Sequence, residues 1–100
     1  MIKGTTPKHT FTLPFDTSII SKCKVVYGQG GVELFSKRTE DCVLDGNTIS
    51  TVLTQEETLT FDYHKGVEIQ LRVLTHSGEA LASVTTTIGI AKCLDNEVLE

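Results

Sequence analysis

The chain has 100 residues, of which 39% are hydrophobic and 22% charged, and its formal net charge at pH 7 is −4. This composition is that of an ordinary globular protein and excludes intrinsic disorder. A chain of this length buries one hydrophobic core, so we expect a single domain over residues 1–100, in which Leu99-Glu100 is either native or a cloning remnant.

The nine Lys and Arg residues are spread from Lys3 to Lys92, and no cluster is longer than Lys37-Arg38. Binding to nucleic acid needs a concentrated basic surface, so no nucleic-acid partner is expected. No apolar run approaches the ~18–20 residues that cross a bilayer, and the N-terminal residues lack the apolar core of a signal peptide. We therefore expect no membrane partner and a location in the cytoplasm in which the chain is made, unless a larger particle carries it out.

Three cysteines, Cys23, Cys42 and Cys93, follow no C-x-x-C spacing. An odd number of cysteines in a cytoplasmic protein is typical of reduced, structural thiols, and we predict that all three are unlinked. A disulfide between Cys23 and Cys42 remains the alternative.

The first predicted strand covers residues 8–13, where Phe11 and Leu13 alternate with two threonines. Pro7 and Pro14 bracket this segment. Proline cannot donate to a strand ladder and is confined to edge strands and strand ends, so the segment is predicted to be an edge strand.

A hairpin is predicted from strands at residues 22–27 and 32–36, joined by the sequence GQGG. In the first strand Cys23, Val25 and Tyr27 share a face, and the glycines tolerate the positive φ of a tight turn. In the return strand the alternation places Val32 and Leu34 inward and Phe35 outward.

A second hairpin is predicted from strands at residues 42–44 and 48–53, because Asp45-Gly46-Asn47 is a strong tight-turn signal. The segment Thr54-Gln55-Glu56-Glu57 follows it and has the pattern of a capping box, which predicts a single helical turn.

The last hairpin is predicted from residues 67–73 and 80–91. The first of these strands has four inward residues alternating with polar ones, and the second places Val84, Thr86, Ile88 and Ile90 on one side. Seven short strands without a crossover helix predict an all-β fold, an antiparallel two-sheet sandwich of immunoglobulin-like type. A partly open barrel of six or seven strands is the alternative.

The sequence contains no pattern that points to catalysis or to a cofactor. His9, His64 and His76 lack the spacing of a zinc ligand pair and are expected to be ordinary exposed histidines. The hydroxyl residues include no nucleophile motif, and the carboxylates near residues 41–47 do not have the calcium-loop spacing. We therefore expect no enzyme, no cofactor and no metal.

Three segments resemble a known group of proteins: TTPKHTFTLPFD (residues 5–16), DGNTISTVLTQEETLTF (45–61) and VEIQLRVLTHSGEALAS (67–83). They are similar to small, uncharacterised immunoglobulin-like β-sandwich proteins of phages and prophages of Gram-positive bacteria. The resemblance implies a non-enzymatic structural or accessory protein of the tail, baseplate or head. It implies synthesis in the host cytoplasm, a place in the virion, and partners that are other virion proteins or copies of the chain itself.

A small carbohydrate- or ligand-binding β-sandwich for surface recognition is the alternative function, although sugar platforms favour exposed aromatic residues and the chain has no Trp. For the leading function we predict the interface at the first strand. An edge strand can be extended by another chain. Lys8, His9 and Thr10 are the predicted edge residues, and Phe35 is the predicted side-chain anchor nearby.

Overall fold

In the computed structural model, which describes residues 1–83 and 85–100, the chain folds into two antiparallel sheets. The strands are β1 (Lys8–Thr12), β2 (Ile20–Gln29), β3 (Val32–Arg38), β4 (Cys42–Asp45), β5 (Thr48–Val52), β6 (Val67–Thr75), β7 (Ala80–Ala82) and β8 (Thr86–Ile88). A short helix α1 (Gln55–Leu59) connects β5 to β6, and 3₁₀ turns cover Thr17–Ile19 and Thr39–Asp41.

The order of the strands is that of an immunoglobulin sandwich. One sheet has the order β1-β5-β4 and the other β3-β2-β6-β7, with β8 also paired to β6. Immunoglobulin domains place strands A, B, E and D in one sheet and C, F and G in the other, and the variable type adds C′ beside C. The observed orders correspond to B-E-D and C′-C-F-G, and the all-β sandwich is confirmed. No described strand occupies the place of strand A beside β1.

The core lies between the two sheets and follows the alternation of the longest strands. Its buried residues include Val25 and Tyr27 of β2, Ile49 of β5 and the inward residues of β6. The four inward positions predicted in the last hairpin, Val67, Ile69, Leu71 and Val73, are all buried. Alternation works here because these strands are regular and one face of each sheet is covered.

The predicted capping box forms. The Thr54 hydroxyl accepts from the Glu57 amide at 3.1 Å, and the Glu57 carboxylate accepts from the Thr54 amide at 2.8 Å. The predicted long strand over residues 80–91 is wrong in its continuity, because the structure has two separate three-residue strands there, β7 and β8. Val84 lies outside the described residues.

The face predicted for Phe35 is wrong, and a β-bulge is the reason. Tyr27 pairs with Phe35 but the next residue, Gly28, pairs with Glu33, so Leu34 is an extra residue in β3. A bulge breaks the two-residue alternation. Phe35 therefore points inward with Tyr27, whereas Leu34 is 45% exposed.

Gly28 is the residue that permits this irregularity. A Cβ atom at Gly28 would lie 2.5 Å from the carbonyl oxygen of Val32, which is too close for any other residue. Val32 itself was predicted to be inward but is 62% exposed. It pairs with Gln29, the last residue of β2, where the hairpin ends.

Candidate protein-docking edge

The strand β1 is an edge strand, as the two prolines predict. It pairs only with β5, in a register that runs from Lys8 opposite Val52 to Thr12 opposite Thr48. The second neighbour that an inner strand would have is missing from the described chain. The prolines lie just outside β1, where their missing amides cost no ladder bond.

The backbone groups that face the open edge can be identified from the ladder. The Leu53 amide donates to the Pro7 carbonyl at 3.0 Å, and the Leu13 amide donates to the Asn47 carbonyl at 2.7 Å. Bonded pairs alternate in an antiparallel ladder, so the odd-numbered residues of β1 bond to β5 and the even-numbered ones point away from it. Across residues 1–83 and 85–100, no backbone hydrogen bond joins Lys8, Thr10 or Thr12 to another segment.

An apolar groove runs beside this edge, between β1 and β7. Its volume is about 300 Å³. Apolar side chains from three parts of the chain form most of its lining: Phe11, Leu13, Phe15, Leu71, Val73 and Leu81. It lies where strand A would cover the gap between the two sheets of an immunoglobulin domain. The fold therefore leaves apolar core surface uncovered next to unpaired backbone groups.

His9 does not have the position that the sequence predicts. Its side chain points inward, is half-buried, and has its Nδ1 atom 2.7 Å from the hydroxyl of Tyr27. Tyr27 is fully buried, and burial raises the pKa of its hydroxyl, which stays protonated and shares a hydrogen bond with the imidazole. Burial, with the charge of the N-terminal amine, lowers the pKa of His9. His9 is thus a neutral, half-buried residue that faces inward, and the prediction that it is an exposed edge residue is wrong.

Phe35 is separated from the docking edge. Its ring stacks on Tyr27 and Phe61, with centroid distances of 5.1 and 5.5 Å. It belongs to β3, which is the far edge of the other sheet. Of the four predicted interface residues, Lys8 and Thr10 lie on the open edge, while His9 and Phe35 are turned into the core.

The groove residues that sequence reasoning missed are Phe15 and Leu81. Neither residue stands out in the sequence, because Phe15 follows the strand-ending Pro14 and Leu81 lies in a strand predicted to be continuous. No local signal in the sequence identifies these two residues as groove residues, because the groove depends on which strands pair and sequence periodicity does not give strand pairing.

Nothing in the described part of the chain adds a reactive centre to this edge. Burial raises the pKa of the Cys23 and Cys42 thiols, that of Cys42 to about 11. Thiols with raised pKa values are weak nucleophiles. All three cysteines carry free thiols. No group of three or more potential metal ligands occurs in residues 1–83 and 85–100.

No described helix is long and apolar enough to cross a membrane. Neither a scan against models of protein families nor a search of curated protein sequences finds a match to this chain.

Proposed function

We propose that the chain is a non-enzymatic, protein-binding β-sandwich that accepts an extended segment of another protein at the edge of β1. The observation that carries the proposal is the unpaired edge of β1 beside an uncovered apolar groove. An incoming strand gains main-chain hydrogen bonds from such an edge and specificity from the pockets for its alternate side chains. Both elements of that recognition mode are present on one side of this domain.

The geometry defines what the incoming segment contains. Its backbone pairs with Lys8, Thr10 and Thr12, the residues with outward amides and carbonyls. Residues directly opposite in a ladder share a face, so the positions opposite Phe11 and Leu13 point into the groove. The partner segment therefore carries large apolar residues at positions i and i+2, and polar residues at the alternate positions.

The kind of partner comes from the sequence resemblance. The chain resembles small immunoglobulin-like proteins of phages and prophages, and this resemblance implies a structural or accessory role in the tail, baseplate or head. We therefore propose that the segment belongs to another virion protein. Exposed edges aggregate unless they are protected. Lys8 at the start of β1 provides such protection when no partner is bound.

Two variants block the edge and the groove separately. Thr10→Pro removes an outward amide and therefore costs no bond to β5. Leu81→Arg places a long charged side chain among the apolar residues that line the groove, because Leu81 lies opposite the buried Val73. The control is Val43→Arg, at an exposed position on β4, the opposite edge of the same sheet.

The measurement is the amount of each variant in purified phage particles, with melting temperature as a check on folding. We expect wild type and Val43→Arg at stoichiometric levels, and at least a tenfold loss for Thr10→Pro and Leu81→Arg. Wild-type protein absent from particles would contradict the virion role. Equal incorporation of all four proteins would contradict docking at β1.

A further inference from the structure

The outward face of the larger sheet carries a row of three cations. Arg38, Lys24 and Arg72 lie directly opposite one another on the adjacent strands β3, β2 and β6. Neighbouring strands are about 4.8 Å apart, so the row spans roughly 10 Å. Like charges directly opposite each other are destabilising in a sheet, and the fold nevertheless collects them here.

These cations line one concavity, which we call the cationic pocket. It has a volume of about 590 Å³ and includes Lys22 as well as the three cations of the row. Four of the nine basic residues of an acidic chain therefore surround one depression. Their positions in the chain are up to 50 residues apart, which is why the sequence shows no basic cluster.

Most of this positive charge is not neutralised within the domain. Lys24 lies 3.8 Å from Glu33, a weak and exposed ion pair. In the part of the chain that the structure describes, no ion pair involves Lys22, Arg38 or Arg72. Among the described residues that line the pocket, Glu40 is the one that is acidic.

We propose that the cationic pocket binds an acidic peptide segment of a partner protein. Carboxylates at alternate positions of an extended peptide are about 7 Å apart, so two of them fit within the row. Guanidinium groups bind carboxylates in a bidentate manner, and both ends of the row are arginines. This site lies on a different face from the β1 edge and does not depend on the function proposed for that edge.

A short acidic peptide is favoured over nucleic acid by the surroundings of the pocket. On the same outward face, Gly28 lies two outward positions beyond Lys24 toward the hairpin and is flanked by Glu33 and Glu68. A nucleic acid binds through many phosphates along its backbone and would meet these carboxylates. A segment with two or three carboxylates remains within the basic part of the face.

The test is fluorescence anisotropy with a labelled octapeptide of alternating Glu and Thr, at 50 and 200 mM salt. We expect binding at low salt that weakens at high salt, and at least tenfold weaker binding by Arg38→Gln/Arg72→Gln. The control Lys65→Gln/Lys92→Gln removes the same charge from exposed positions elsewhere and should change affinity less than twofold. Lys22→Gln/Arg72→Gln is a second pocket variant in case the first does not fold.

Three results would overturn the proposal. One is the absence of binding to the peptide at low salt. Another is equal loss of affinity in the pocket variants and in the control, which would indicate only a general effect of net charge. The third is tighter, pocket-dependent binding of a single-stranded oligonucleotide with the same number of charges, which would assign the pocket to nucleic acid.

Discussion

The two long sides of the sandwich differ in how the gap between the sheets is covered. On one side the chain passes from β3 to β4 through the 3₁₀ turn at Thr39–Asp41. There the Thr39 hydroxyl accepts from the Cys23 amide at 3.0 Å, and the Lys37 ammonium lies 2.6 Å from the Glu57 carboxylate. On the other side β1 and β7 flank a groove, and no described strand lies between them.

This difference separates the side of the sandwich that stabilises the fold from the side for which we propose binding. The covered side holds the stacked rings of Tyr27, Phe35 and Phe61 and a largely buried ion pair. The open side leaves apolar surface uncovered, and we propose that this surface binds another protein. Contiguous apolar surface is uncommon on monomeric proteins and, where it occurs, is often a binding site.

The largest effect on the free energy of unfolding is expected when a phenylalanine is truncated to alanine, and its size should differ between the two sides. Phe61 is 1% exposed, whereas Phe15 is only partly buried. Phe61→Ala should lower the free energy of unfolding by about 3–5 kcal/mol, because it leaves a cavity in the core. Phe15→Ala should lower it by about 1 kcal/mol. Urea unfolding measures both, and equal losses would mean that the two sides are equally packed.

A smaller difference in stability is expected between substitutions at two residues of β3, Phe35 and Val32. Because its ring packs between Tyr27 and Phe61, Phe35→Ser should lower the free energy of unfolding by about 2–4 kcal/mol, somewhat less than truncation of a fully buried ring. Val32→Ser, at an exposed position of β3, should change it by less than about 0.5 kcal/mol. If unfolding curves show that Phe35→Ser is as stable as wild type, Phe35 lies on the surface and the bulge is contradicted.

The smallest expected effect is a pH dependence that arises at β1. His9 has a lowered pKa in the folded state, so the unfolded chain binds more protons than the folded chain as pH falls below the ordinary histidine value of about 6.5. The His9 contribution to stability is thus present above that pH and is lost below it. The carboxylates with lowered pKa values, Asp16 and Asp62, titrate in a more acidic range.

Melting temperatures at pH 7.5 and 5.5 test this expectation. Wild type should melt a few degrees lower at pH 5.5, and His9→Gln should show a smaller difference between the two pH values. His64→Gln/His76→Gln is the control, because both of these side chains are exposed. A wild-type pH dependence retained in the His9 variant would show that another group titrates.

Much of the secondary structure could be predicted from the sequence, because its signals are local. Asp45-Gly46-Asn47 specifies a tight turn, the Thr54 to Glu57 spacing specifies a capped helical turn, and alternation specifies the buried face of β6. The prolines around β1 specified an edge, because a missing amide is tolerated only where no neighbour needs it.

The bulge, the groove and the cationic pocket were decided by the tertiary structure, because these three features depend on which strands become neighbours. The bulge opposite Gly28 reverses the face of Phe35, and no periodicity reports an inserted residue. The groove beside β1 lies where no described strand pairs with the open side of β1. The cationic pocket exists because three strands in register bring Arg38, Lys24 and Arg72 side by side, and only pairing between distant segments can place them there.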